Sequence, residues 1–229
     1  MGKRFVERVE YIKRCILNTI YDEEEGLCLN CRRPVLYDFL CSSCKKKILI
    51  PKDPYILEKD YYKLSIYSAA YYSSVVKNMI LAFKYKDDFQ CGEYLGQLMI
   101  ECMKNLNLNL NDIDMITYVP MTKENKKKRG FNQSEFLSMI IGRKFNLEVE
   151  ETLEKKNGHR KQKTLSVEER WVNAKNGYKF IGGKNVKDKN IMLIDDVLTT
   201  GATVFYCSRE LMKNGARKVW VLTVAKSRI

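Results

Sequence analysis

The sequence predicts an α/β protein, a parallel sheet with flanking helices preceded by a small module built on four cysteines. Three stretches carry that expectation. Residues 190–204 run from an apolar segment into two carboxylates, then through a Thr/Thr/Gly loop into a helical pattern. Residues 114–120 form a second apolar segment, stopped by Pro120 and followed by a dense cation cluster. Cys28-x-x-Cys31 and Cys41-x-x-Cys44 lie in a stretch too short to build a core of its own. A short apolar run without alternation marks a strand buried on both faces, as parallel sheets require.

At 229 residues the chain holds one sizeable domain and a small appendage. An apolar fraction of 45% and an aromatic fraction of 11% fit a packed protein rather than a disordered one. The net charge of +13 calls for anionic partners, either phosphorylated small molecules or nucleic acid, or else serves solubility alone. Of the eight cysteines, four sit in the two tight pairs and the rest fall in helical patterns. That distribution indicates a reducing compartment and metal binding instead of a disulfide framework. No apolar run reaches the roughly 18 residues that span a bilayer. The charged N-terminus lacks the apolar core of a signal peptide. Together these read as a cytoplasmic protein.

In chain order, Phe5, Val9, Ile12, Ile16 and Ile20 recur at helical spacing. They predict an amphipathic helix over residues 3–20, its stripe suited to docking on the domain behind it more than on a membrane surface. Residues 1–25 are therefore a helix and an acidic connector, and residues 26–50 the cysteine module. Two C-x-x-C knuckles place four thiolates, from Cys28, Cys31, Cys41 and Cys44, around one tetrahedral Zn²⁺. Four ligands leave no open position, so this zinc is structural. Residues 51–60, with Pro51 and Pro54, read as a linker, and residues 61–229 as the main domain.

Leu64 to Tyr72 predicts a strand, and Ser73 a cap for a helix through Val76, Ile80 and Phe83. A second helix over 90–105 carries Tyr94, Leu98 and Cys102 on its stripe. After the strand at 114–120, the basic run Lys123 to Gln133 reads as a loop able to receive a pyrophosphate through charge-assisted contacts. Asn132 is placed to cap a helix carrying Glu135, Phe136, Met139 and Ile140. Val149 to Leu153 is a short strand. Residues 154–165, polar and basic, with the sole histidine His159, suit a mobile lid over an anionic substrate. Ser166-Val167-Glu168-Glu169 has the spacing of a capping box. Residues 218–224 form a last buried strand.

Chemistry concentrates at residues 190–204. Ligands in open α/β sheets bind beyond the carboxyl ends of strands. A helix opening after small residues offers free N–H groups and a positive dipole end to a phosphate. Asp195 and Asp196 would repel that phosphate, so they face neutral sugar hydroxyls or a divalent metal. The combination asks for a phosphorylated sugar.

This stretch resembles the 5-phosphoribosyl-1-pyrophosphate (PRPP) motif of type I phosphoribosyltransferases. With the paired cysteines, Lys84-Tyr85, Val119-Pro120, Arg129-Gly130-Phe131-Asn132-Gln133, Gln162-x-x-Leu165 and Arg170-x-x-Asn173, the chain from Cys28 onward resembles the ComF family. That resemblance implies a type I phosphoribosyltransferase-like sheet behind a zinc module, acting in the cytoplasm on DNA uptake during natural competence. By position, Asp195 and Asp196 would hold the ribose hydroxyls, and Thr199, Thr200, Gly201, Ala202 and Thr203 the 5′-phosphate. Pro120, Met121 and Lys123 would form the pyrophosphate loop with Arg129 close by, and Mg²⁺ would accompany PRPP. The enzymatic reading is a phosphoribosyl transfer to an acceptor the sequence does not identify. The alternative is a non-catalytic adaptor binding single-stranded DNA and other uptake proteins, such as a competence helicase. Two departures stand out, His159 where the family often carries threonine, and Lys86-Asp87-Asp88 where a glycine is expected.

Overall fold

The structure is a computed structural model that describes residues 26–106, 109–156, 166–182 and 185–227. The expected helix at 3–20 and the lid residues His159, Gln162 and Leu165 lie outside the described residues. The chain divides into two compact units, residues 1–45 and 46–229.

In the first unit, β1 (Gly26–Leu27) pairs antiparallel with β2 (Pro34–Val35), and the helical turn α1 (Ser42–Lys45) follows. The Cys28 N–H donates to the Arg33 carbonyl at 2.8 Å, and the Arg32 N–H donates back to the Cys28 carbonyl at 2.9 Å. In the second knuckle the N–H groups of Cys44 and Lys45 both reach the Cys41 carbonyl at 3.0 Å.

The second unit is built on a six-stranded sheet. Its strands are β3 (Tyr55–Lys59), β4 (Tyr62–Tyr71), β5 (Met115–Tyr118), β6 (Val149–Glu150), β9 (Asn190–Leu198) and β10 (Lys218–Lys226). Their order is β3-β4-β10-β9-β5-β6. Only β3 is antiparallel, on the β4 edge; the other five run parallel. The parallel centre is apolar on both faces: Ile191, Met192, Leu193 and Ile194 are fully buried in β9, and β10 is buried from Val219 to Ala225. Such runs satisfy both helical layers at once, which is why they do not alternate.

Helices α2 (Ser74–Tyr85), α3 (Phe89–Lys104), α4 (Lys123–Arg129), α5 (Gln133–Phe145), α6 (Val167–Ala174) and α7 (Ala202–Lys213) flank or adjoin the sheet. A separate hairpin pairs β7 (Leu153–Lys155) with β8 (Tyr178–Phe180). The predicted capping box is formed, with Ser166 and Glu169 exchanging backbone N–H bonds at 2.7 and 3.2 Å.

Four expectations need correction. The supposed linker 51–60 contains β3, whose residues pair from Tyr55 opposite Ile66 to Lys59 opposite Tyr62. The basic run 123–129 is a helix, because Thr122 caps it by accepting from the Asn125 N–H and Gly130, at φ +82°, ends it. Of the expected α3 stripe, Tyr94 is buried but Leu98 and Cys102 are only half-buried, the buried face being carried by Cys91, Leu95, Met99 and Met103. Residues 149–153 are split between β6 in the main sheet and β7 in the hairpin.

Candidate functional site

The carboxyl ends of the parallel strands share one open cleft of about 380 Å³. Tyr72 after β4, Val119 after β5, Asp195 to Leu198 at the end of β9 and Ser227 after β10 all line it. Thr199, Gly201, Thr203 and Val204 continue the lining into α7. Topology alone puts the acidic strand end and the Thr/Gly turn here, since β9 sits in the middle of the sheet.

Gly201 makes the turn. It stands at φ +81°, a conformation L side chains rarely adopt, and an added Cβ would come within 3.1 Å of Leu57 Cδ2. The turn aims the start of α7 into the cleft, and the Thr200 hydroxyl accepts from the Ala202 N–H at 3.4 Å.

The two aspartates sit in different surroundings. Asp196 forms an ion pair with Lys84, near the C-terminus of α2, with both side chains largely buried. Burial works against the Lys84 ammonium, but Asp196 and Asp195 outweigh it and hold Lys84 above the ordinary lysine value. Asp195 accepts from the Ser134 hydroxyl at 3.2 Å and from the Asp196 N–H at 2.9 Å. Burial first, then the neighbouring Asp196 charge, push its carboxyl up to about 7. Ser134 is itself set by α5. Asn132 accepts from the Ser134 N–H at 3.0 Å and donates to the Val119 carbonyl at 3.0 Å, tying the helix start to the end of β5.

Among the expected site residues, Asp195, Asp196, Thr199, Gly201 and Thr203 line the cleft. Thr200 and Ala202 belong to the same turn without lining it. Pro120, Met121, Lys123 and Arg129 do not line it either. Pro120 and Met121 follow β5, Lys123 opens α4, and Arg129 donates to Gln133 Oε1 at 2.5 Å while its guanidinium stacks 5.2 Å above the Tyr85 ring. Sequence reasoning gave no role to Ser134 or Tyr178, named Lys84 and Arg170 only as motif fragments, and counted Lys155 only as part of the basic lid; all five lie at or next to the cleft. The motif fragments Lys84-Tyr85 and Arg170-x-x-Asn173 were the available signal for two of them; Ser134 lies 61 residues from its partner and had none.

In the first unit, the sulfurs of Cys28, Cys31, Cys41 and Cys44 all lie within 4.8 Å of one another. Cys31 and Cys41 are 3.6 Å apart, close to the roughly 3.8 Å separation of sulfurs placed tetrahedrally about 2.3 Å from one zinc. Asn30 donates to Cys44 Sγ at 3.2 Å, and the Ser43 hydroxyl beside Cys41, at 3.1 Å, draws that thiol down to about 6. The donor set fits a Zn²⁺ ion.

No family model matches the chain. Curated relatives do. It is 26% identical to competence protein F of Haemophilus influenzae, over 93% of this chain and 97% of that protein. It is 25% identical to competence protein ComFC of Bacillus subtilis, over 88% and 78% respectively. It is 26% identical to the DNA utilization protein YhgH of Escherichia coli, over 86% and 96%. Among solved structures, a Bacillus subtilis glutamine PRPP amidotransferase aligns at 18% identity and TM-score 0.39, over 58% of this chain and 25% of that one. The observed architecture, a largely parallel sheet with flanking helices that follows a four-cysteine cluster in sequence, agrees with what the sequence resemblance implies. Over most of its length the chain is thus similar to competence and DNA-utilization proteins, in line with the resemblance of its motifs to the ComF family.

Proposed function

We propose that the cleft binds a phosphorylated ribose, PRPP with Mg²⁺, and that the protein serves DNA uptake as a phosphoribosyltransferase-like component. The observation carrying this reading is that Asp195, Asp196 and the turn Thr199–Thr203 open into one cleft at the end of the central strand. Hydroxyls and the N–H groups that open α7 cradle the 5′-phosphate. The carboxylates accept from the ribose hydroxyls, with Lys84 and Ser134 fixing their orientation. The carboxylate oxygens are hard donors of the kind Mg²⁺ takes, and the ion when bound neutralises pyrophosphate charge. Competence and DNA utilization, for which the relatives are named, support placing this chemistry in the handling of incoming DNA.

The test is calorimetric titration of PRPP with and without Mg²⁺, comparing the parent with Asp195→Asn/Asp196→Asn. Binding that needs Mg²⁺ and is lost in the variant supports the assignment. Equal binding by parent and variant refutes it.

A second reading, a single-stranded DNA adaptor without turnover, is favoured by the net charge of +13 and by the cations Lys126, Lys127, Lys128 and Arg129 closing α4. Affinity resting on phosphate contacts falls steeply with salt. A flat salt dependence removes this reading.

A further inference from the structure

The turn at residues 199–203 offers hydroxyls, backbone N–H groups and a helix end, but no cation. A helix N-terminus supplies about half a positive charge, whereas a phosphomonoester near neutral pH carries about −1.5 to −2. The balance has to come from elsewhere in the cleft. Two cations are in place that the reading above does not use. Lys155 closes β7 and Arg170 lies in α6, on either side of residues 157–165, and both line the cleft with Thr199, Gly201 and Thr203.

Their surroundings show built positions. Lys155 Nζ stands 5.4 Å over the Tyr178 ring, and the Tyr178 hydroxyl donates to Thr203 Oγ1 at 3.4 Å. The β7–β8 hairpin is thereby joined to the first turn of α7. The Arg170 Nε is buried and, among the described residues, has no hydrogen-bond partner. Among the described residues neither cation forms an ion pair. The carboxylates of the cleft are engaged already, Asp196 by Lys84 and Asp195 by Ser134 and the Asp196 N–H. Burial pulls Lys155 below the ordinary lysine value, opposed in part by Cys207 and Asp195, so its charge is poorly compensated.

Resting on the phosphorylated-ribose reading of this cleft, we infer that Lys155 and Arg170 are the charge partners of the phosphate cradled by residues 199–203. They fit the site to a dianionic sugar 5-phosphate. The ammonium supplies a point charge, and the guanidinium a planar fork that matches phosphate oxygens.

The test titrates ribose 5-phosphate and, separately, PRPP with Mg²⁺ into the parent, Lys155→Met, Lys155→Arg and Arg170→Gln, with thermal unfolding as the check on folding. Ribose 5-phosphate carries the 5′-phosphate and no pyrophosphate. The expected result is a loss of about tenfold or more in ribose 5-phosphate affinity for Lys155→Met and for Arg170→Gln, with Lys155→Arg close to the parent. Ribose 5-phosphate binding within twofold of the parent in both charge-removing variants overturns the inference and leaves the cleft reading standing. So does a loss confined to PRPP, which assigns the cations to pyrophosphate. If Lys155→Met does not fold, Arg170→Gln alone decides by the same criterion. Failure of the parent to bind either compound removes the underlying cleft reading, and the inference with it.

Discussion

Lys84 and Asp196 are separated by 112 positions in the chain and meet as a largely buried pair beside the cleft. Desolvation offsets much of the attraction in such a pair, so its main consequence is placement: each charge fixes the other's side chain. Asp195, next in the strand, has no cation within ion-pair distance among the described residues and is pushed up from 3.8 to about 7. The folded protein therefore holds a proton there that the unfolded chain releases near pH 4. This contribution to stability is fully present below about pH 4 and is lost as the pH rises to about 7. Asp195→Asn keeps an oxygen to accept from Ser134 and the Asp196 N–H while removing the titration. The variant's melting temperature should gain on the parent's between pH 4 and pH 7, by at least about 2 °C at the upper end, the shift that roughly 1 kcal/mol gives a domain of this size. Melting curves at several pH values check it; a difference independent of pH sinks the assignment.

At the scale of elements, the stretch Arg129 to Gln133 is a connection between helices whose value is mechanical. Phe131 packs between Phe83 and Phe89, with ring centroids 5.1 and 5.0 Å away, and Phe136 joins them at 5.0 Å from Phe83. This cluster locks α2, α3 and α5 together, and with them Lys84 and Ser134. Gly92 in α3 admits it: a Cβ there would lie 2.6 Å from the Phe83 ring and 2.9 Å from Phe136, both rings buried. Gly92→Ala should destabilise the protein by about 1–2 kcal/mol, overpacking outweighing the gain in helix propensity. Urea unfolding measures it, and a stabilised variant would show that the rings yield freely. The existence of these helices was legible from spacing and from the cap positions Ser73, Asn132 and Ser166, although the Ser73 side chain makes no cap bond and the Asp88 cap of α3 was seen only in the structure. The helical state of 123–129 was not, because a run of charges has no apolar period; Thr122 and Gly130 at its ends decide it.

At the scale of the whole chain, the two units depend on different physics. The stretch around Cys28 to Cys44 is too small for a core, and a metal held by its four thiolates would supply its folding energy. The sheet unit is held by apolar burial along β9 and β10. Chelation, or Cys31→Ser, should release one zinc per chain and abolish hydrogen-exchange protection over residues 26–45, while β9 keeps its protection. Loss of protection in both regions together would contradict this division. The cysteine cluster, the buried strands, the acidic end of β9 and its Thr/Gly turn could be read directly, because each is written in consecutive residues and obeys a local period or spacing. Folding in three dimensions was needed for residues 55–59 to add an antiparallel edge strand and for Lys84 and Ser134 to hold the aspartates. It also decided that Lys155 and Arg170 share their cleft while Arg129 does not line it. Those outcomes depend on the ends of elements far apart in sequence converging at one edge of a parallel sheet, a geometry that no local pattern encodes.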